Sequence, residues 1–465
     1  MRRTKIIATV GPSTDNPDTL EAVLFAGVDV VRLNAAHSGP EALAKRLAAV
    51  RAAEQRICRH VGVLVDLPGP KIRVGDVTPG TILERGQTFT LEGEECVGDC
   101  KHACITYDGL ADDVHPGDRL LLDDGRLELA ITSISGRDVL TRVEVGGPLL
   151  SNKGVNAPGV TLGVDSITDY DREIVEWVRS ADVDFVGQSF VRSAADVQAL
   201  RDLLGTSKIP IVAKIEKFEA VEDLCAVLAV ADAVMVARGD LGVETSPEAV
   251  PVLQRRIIAE ARKAGKPVVV ATQMLDSMTT APRPTRAEAS DVANAIFDRA
   301  DAVMLSGETA VGEYPLEAVE TMARIASAAE DAVAGGGWDR SDGQTQSVQE
   351  AVSAAVCDLA SDLRLTAIVP ITESGATARA VAKHRPDAPI AAATTQLQTA
   401  RQLGIVWGVR SVVVPFAEDN DTLLDEVCEA MKANGVARSG EKIALTAGRA
   451  ANAPGGTDFI LVREV

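Results

Sequence analysis

No stretch of this 465-residue chain is apolar over the length needed to cross a bilayer, which excludes a helical membrane span. No cleavable leader is expected either. The short apolar run in MRRTKIIATVGPS ends at Gly11-Pro12 without a small-residue cleavage site and reads as a first strand. A cytoplasmic protein with no membrane partner is the default expectation. Positive charge is in deficit, because 47 Lys and Arg against 67 Asp and Glu leave a net charge of −20. That excludes a general basic surface for nucleic acid. An anionic substrate would need local Arg and Lys clusters, or metal ions, to overcome the repulsive field; a plainer reading of the acidity is solubility. Cysteine is sparse and odd in number, at seven, so no disulfide framework is expected. Cys96, Cys100 and Cys104 form C-x3-C-x3-C with His102 between them. A metal site is conceivable there, but the spacing matches no standard zinc pattern, and ordinary reduced thiols on a β-rich loop are the expected reading. Also missing are a G-x-x-x-x-G-K-[ST] phosphate loop and the protein-kinase signature set. Phosphoryl transfer, if any, must rest on metals and cationic side chains.

What is present is a chain with 46% hydrophobic residues, long enough for two to four domains. Apolar, β-branched runs near residues 5–10, 28–33, 61–66, 183–187, 210–215, 233–237, 267–272 and 301–305 recur with helical segments between them. Their unbroken apolar character suits parallel strands buried on both faces. In the first connection Asn16 can cap a helix, Pro17 suits its first turn and Gly27 closes it. Eight such units predict a (β/α)8 barrel. Arg32 and Asn34, Asp66, Ser189, Lys214 and Glu216, Arg238 to Asp240, Thr272 and Gln273, and Ser306 to Glu308 all fall at or just after strand C-termini. Active sites of such barrels gather at that end. Polar residues serving only the loops would be scattered between both ends.

The third strand is followed by an excursion of roughly 85 residues in place of a short loop. Its segments QTFTLEGE, DRLLLDDGRLELAITSI and DVLTRVEV alternate in β fashion around Gly and Asp turns, which predicts a small inserted β-barrel able to act as a lid. The Gly-rich polar stretch AGGGWDRSDGQTQS reads as a linker, and the remainder alternates again as a separate α/β domain. The expected division is a barrel of residues 1–69 and 154–331, a lid of 70–153 and a C-terminal domain of 345–465.

Lys214 and Glu216 lie two apart in AKIEKFE, on one side of an extended segment. Glu216 and Asp240, from adjacent strand ends, could place two carboxylates on one hard divalent cation. Mg2+ fits, since it takes few carboxylates and fills its other positions with water and substrate oxygens, and Mn2+ could substitute. Lys214 beside the metal could then neutralise a transferring phosphoryl group. The alternative is a plain salt bridge between Lys214 and either acid. Arg32 and Arg73 are candidates for phosphate contacts, because guanidinium forks match phosphate oxygens.

The ordered segments VRLN, DLPGPKIR, AKIEKFE, VARGDLGVE, ATQMLDSM, PRPTRAEASDVANA and MLSGETA together resemble the pyruvate kinase family over most of the chain. The resemblance implies transfer of a phosphoryl group from phosphoenolpyruvate to ADP, giving pyruvate and ATP, in a homotetramer. It implies that Gly239, at a helix start, faces the carboxylate of phosphoenolpyruvate. It ties Thr272 to protonation of the enolate; a Thr hydroxyl is a poor acid, so positioning a water or relaying a proton suits it better. Ser189 and Asp240 join the substrate group. Pro12, Asn34, His37, Arg73 and Lys153 would lie near the nucleotide, although single His and Lys residues are more often solvated surface groups.

Two positions depart from the family pattern. The usual R-[LM]-N-F-S-H-G reads Arg32-Leu33-Asn34-Ala35-Ala36-His37-Ser38, and Ala36 offers no oxygen to the K+ that Asn34 and Asp66 would help to bind. GPEIR, usual in potassium-dependent members, reads Gly69-Pro70-Lys71-Ile72-Arg73, so the Lys71 ammonium could take the cation's place. Potassium-independent activity is the expectation; a retired active site is the competing reading, against which Lys214, Glu216, Asp240 and Thr272 argue. In the last domain, Thr372, Ser374, Gly375 and Thr377 lie in a strand-to-helix turn that resembles the family's effector loop, or is an ordinary capped turn. Glu373 there disfavours a bisphosphate and leaves a sugar monophosphate or AMP as effector, with Arg449 and the AANAPGG loop as contributors. Two rivals stand beside this reading: another phosphoenolpyruvate-using barrel enzyme, and a non-catalytic metabolite-binding regulator.

Overall fold

The structure is a computed structural model that describes residues 2–333, 347–417, 419–448 and 457–465. Arg449 and most of the glycine-rich linker lie outside the described residues. Eight parallel strands close into a barrel: Lys5–Thr9, Val30–Asn34, Gly62–Asp66, Phe185–Gln188, Ile211–Ile215, Ala233–Ala237, Val268–Ala271 and Ala302–Leu305. Each expected run overlaps one of them, and the second and fourth strands reach one residue further, to Asn34 and Gln188. Strand alternation separates two apolar layers. Ile7, Val30, Leu64, Val212, Met235, Val269 and Met304 belong to one buried cluster, while Ile6, Ala8, Val31, Val63, Val234 and Val270 belong to another with the surrounding helices. A strand buried on both faces has no room for a polar alternate, hence the unbroken apolar runs. The first helix, Pro17–Phe25, starts as expected: Asn16 accepts from the backbone N–H groups of Asp18 and Thr19.

At the N-terminal rim, one aspartate precedes every second strand. Asp29, Asp184, Asp232 and Asp301 accept from the N–H groups of Ile6, Val63, Ile211 and Val268 at 2.9, 2.8, 2.8 and 3.1 Å. Each thus caps the neighbouring strand at the rim of the barrel. An arginine pairs with each carboxylate, two of them buried: Arg2 on Asp29, Arg51 on buried Asp184, Arg201 on Asp232 and Arg385 on buried Asp301. Burial nevertheless pushes the Asp184 carboxyl up to about 6.

The C-terminal domain closes this end. Its five-stranded sheet is parallel apart from the last strand, Phe459–Glu464, which runs antiparallel to Lys442–Ala447. Leu403 and Ile405 join the apolar cluster that fills the barrel. Arg401 forks onto buried Glu54 at 2.9 and 2.7 Å. Gly62 sits under this contact, where a Cβ would come within 2.9 Å of the Arg401 carbonyl oxygen. The ligand-accessible end of the barrel is therefore the opposite, C-terminal one.

Between the third and fourth barrel strands lies the inserted lid. The expected small β-barrel takes the form of a six-stranded curled sheet with a two-stranded ribbon, wrapped around its own apolar core of Phe89, Leu91, Leu120, Leu129 and Val143. Strand Val155–Asn156 pairs with lid residues Leu122 and Leu121, and Leu162 belongs to the lid core, so the lid's hydrogen bonding runs past residue 153. Polar contacts that tie lid to barrel include Asn156 Nδ2, which donates to Glu244 Oε1 at 2.6 Å, and Arg192, which reaches the Leu162 carbonyl at 2.8 Å.

Candidate active site

At the C-terminal mouth the strand ends deliver charge into an apolar frame. Lys214, on the fifth barrel strand, directs Nζ to Ser189 Oγ at 2.7 Å, Glu216 Oε1 at 2.9 Å and Asp66 Oδ1 at 3.3 Å. Burial works against the ammonium, but Asp66 and Glu216 overcome it and hold Lys214 above the usual lysine range. Asp66 is balanced a second time by Arg32, whose Nε donates at 2.7 Å. Burial alone would raise the Asp66 carboxyl; Lys214 and Arg32 hold it low. Arg32 is itself oriented by Thr9 Oγ1 at 3.1 Å. Glu216 behaves in the opposite way, its carboxyl raised by burial and by the nearby charge of Asp240 against the pull of Lys214. Its second oxygen accepts the Phe190 N–H at 2.8 Å.

Phe190 has φ 56°, Thr272 φ 65° and Gln273 φ 52°. Left-handed backbone is unfavourable for a bulky or β-branched residue and is held only where the surroundings over-determine it. Here Arg238 does so on the far side, donating to the Thr272 carbonyl at 3.1 and 2.8 Å and to the Gln273 carbonyl at 2.7 Å, while its other nitrogen pairs with Asp291. As a result Thr272 Oγ1 accepts the Gly239 N–H at 2.9 Å and stands beside Asp240 at the start of helix Arg238–Glu244.

Two buried or half-buried carboxylates, Glu216 and Asp240, thus share one side of the mouth, and each already draws an ammonium. Lys214 stands on Glu216, and Lys71 Nζ lies 3.6 Å from Asp240. This donor set fits a hard divalent cation.

The other expected groupings are less convergent. Lys71 was expected beside Asn34 and Asp66, in the place of a monovalent cation. Instead it reaches Asp240, because Asp66 is already neutralised by Arg32 and Lys214 and Asn34 accepts the Ala36 N–H at 3.0 Å. Arg73 and Lys153 stay within the lid: Arg73 donates to the Asn152 carbonyl at 2.9 Å, and Lys153 pairs with Asp123 at 2.9 Å. The His37 side chain lies outside the described residues. In the C-terminal domain Thr377 Oγ1 is 2.8 Å from Thr457 Oγ1, Ser374 is exposed, and Gly375 takes φ 77° before helix Ala376–Lys383. Thr395 donates to the Glu373 carboxylate at 2.7 Å and Thr399 to its carbonyl at 2.6 Å, so that acid is bound into the loop. Thr9, the Phe190 N–H and the Arg238–Asp291 pair escaped the sequence reading, since backbone donors and strain leave no residue-type signal.

A closed barrel with a half-buried lysine, two metal-competent carboxylates and arginines at its C-terminal mouth defines a barrel enzyme for anionic substrates. Sequence profiles make the assignment specific: "Pyruvate kinase, barrel domain" matches residues 1–319 and "Pyruvate kinase, alpha/beta domain" residues 350–463. The chain is 43% identical to "Pyruvate kinase 2" of Synechocystis sp., with 100% of this chain and 79% of that protein aligned. It is 39% identical to "Pyruvate kinase" of Clostridium acetobutylicum, with 100% of both aligned. A crystal structure of a pyruvate kinase from Cryptosporidium parvum superposes with a TM-score of 0.91 at 33% identity, covering 100% of this chain and 96% of that one. The chain belongs to the pyruvate kinase family and is an enzyme of that family.

Proposed function

We propose that the chain transfers the phosphoryl group of phosphoenolpyruvate to ADP with Mg2+, or Mn2+ in its place, and without K+, giving pyruvate and ATP. The observation that carries this reading is Lys214, an ammonium held above its usual range within 3.3 Å of two buried carboxylates at the barrel mouth. Glu216 and Asp240 would hold the divalent ion, and the ion would supply charge neutralisation at the phosphate. Lys214 and Arg32 face the transferring group, and Ser189 orients Lys214. The enol phosphate's P–O bond breaks as a bond forms to the β-phosphate oxygen of ADP, and the enolate left behind takes a proton at C3. Thr272 is assigned to positioning or relaying that proton, and the Gly239 region to the substrate carboxylate. Arg73, Asn34, His37 and Lys153 are assigned to the nucleotide side; for Arg73 and Lys153 this requires the lid to close. The three-part division into barrel, lid and C-terminal domain is taken as the working division, with a homotetramer in the cytoplasm as its setting. Light scattering at four times the chain mass tests the assembly, and any smaller mass overturns it.

Potassium independence rests on Ala36, which has no hydroxyl, and on the Lys71 ammonium, which stands 3.6 Å from Asp240 and not beside Asn34 and Asp66, so that it would supply a fixed monovalent charge to the mouth without filling the cation's own place. Pyruvate formation from phosphoenolpyruvate, ADP and Mg2+ is expected to run at equal rates in K+ and in K+-free buffer. A requirement for K+ would discard the role given to Lys71. For the C-terminal loop, activation by AMP or a hexose monophosphate is expected, with fructose 1,6-bisphosphate ineffective because Glu373 occupies the turn. Activation by the bisphosphate would reverse that assignment.

A further inference from the structure

The thiol cluster of the lid gains a partner in the folded chain that spacing alone does not reveal. Lid strands Thr88–Glu92 and His102–Cys104 run parallel with Thr90 opposite His102 and Glu92 opposite Cys104. Side chains alternate along a strand, so Glu92, His102 and Cys104 emerge on one face of the sheet. The connecting loop, residues 93–101, folds back over that face and sets Cys96 among them. One donor atom each from Glu92, Cys96 and His102 lies within 4.8 Å of the others. Cys100, the middle cysteine of the motif, is exposed and takes no part.

We infer that Glu92, Cys96 and His102 form a transition-metal site in the lid, suited to Zn2+, with water in the fourth position. Thiolate, imidazole and carboxylate together select a borderline metal over Mg2+. Tetrahedral zinc, with bonds of about 2.0–2.3 Å, spaces its donors roughly 3.3–3.7 Å apart, so the cluster need contract by about an ångström, within the reach of side-chain rotation. A second observation points the same way. His102 Nδ1 is buried without a hydrogen bond, although Glu92 Oε1 stands 3.2 Å away. Asp99 Oδ1, 3.7 Å from His102 Nε2, is placed as the outer carboxylate that orients a ligating imidazole. Cys104 supports the loop from beneath, its Sγ donating to the Cys96 carbonyl at 3.2 Å. Gly75 leaves room for that sulfur, since a Cβ there would lie 2.3 Å from it.

The test uses the full chain, metal-free and reduced, titrated with Co2+ as a spectroscopic stand-in and with Zn2+ by equilibrium dialysis. The expected result is a sulfur-to-metal charge-transfer band that saturates at one Co2+ and is removed by one Zn2+, any further ion at the barrel mouth adding no such band. Cys96→Ser should abolish the band, Cys100→Ser should keep it, and His102→Ala should weaken Zn2+ binding by about 100-fold or more. The barrel-mouth carboxylates cannot produce this band, because no sulfur lies among them. Circular dichroism of the metal-free variants, matching the unsubstituted protein, separates lost binding from lost folding. The site is overturned by absence of the band, by its persistence in Cys96→Ser, or by equal Zn2+ affinity in His102→Ala. It is equally overturned if, in air, O2 oxidises Cys96 and Cys104 of the reduced protein to a disulfide and Zn2+ fails to prevent it.

Discussion

Lys214→Met should lower kcat by about 1,000-fold or more while leaving a folded protein. The ammonium is the group through which Asp66, Glu216 and Ser189 act at one point, at 3.3, 2.9 and 2.7 Å. Methionine matches the side chain's length and fills the same space, so the loss is of charge and not of packing. The fold should survive because both acids keep a second partner: Arg32 on Asp66 at 2.7 Å and the Phe190 N–H on Glu216 at 2.8 Å. Stability should still fall by about 3 kcal/mol, the cost of leaving buried charge partly unpaired. Because the folded-state pKa of Lys214 is raised, the stability it contributes is present below the unfolded value and fades only as pH rises through the folded one, so the substitution should cost about the same throughout neutral pH. Steady-state kinetics and thermal melting of the variant check both parts. Turnover within tenfold of the parent would remove Lys214 from phosphoryl transfer.

Glu216→Gln should raise the Mg2+ concentration needed for half-maximal turnover by about 100-fold, with kcat partly restored at saturating metal. The amide keeps the Phe190 contact and the size of the side chain, but it removes one of the two charges that face the same side of the mouth. It also relieves the repulsion from Asp240 that raises the Glu216 carboxyl. The metal-free variant should therefore be no less stable than the parent even as its metal dependence shifts. Mg2+ titrations of the two proteins at fixed phosphoenolpyruvate and ADP make the comparison. An unchanged Mg2+ requirement would place the ion elsewhere.

Barrel and mouth differ in how far the chain alone reveals them. A strand buried on both faces must be apolar throughout, so each of the eight strands announces itself as a run. The same constraint pushes the polar residues to the strand ends, which is why Lys214, Glu216, Asp240 and Thr272 stood out by position. The lid was recognisable because its alternation of polar and apolar residues differs from those runs. Its end was not, because Val155–Asn156 joins the lid sheet through backbone hydrogen bonds that carry no residue-type mark.

Partner choice among charges is where local pattern fails. Lys71 could be given several carboxylates from sequence; only the folded mouth, with Asp66 already shared by Arg32 and Lys214, leaves it Asp240. Arg401 meets Glu54 across 347 residues, and Cys96 meets Glu92 and His102 while Cys100 between them is left out. By itself the sequence determined the barrel, the end at which its chemistry gathers and the family to which it is similar, because burial and strand geometry act on each segment locally. The tertiary structure alone decided which ions pair, which backbone N–H groups face the acids and how the lid thiols meet, because those depend on distances between segments far apart in the chain.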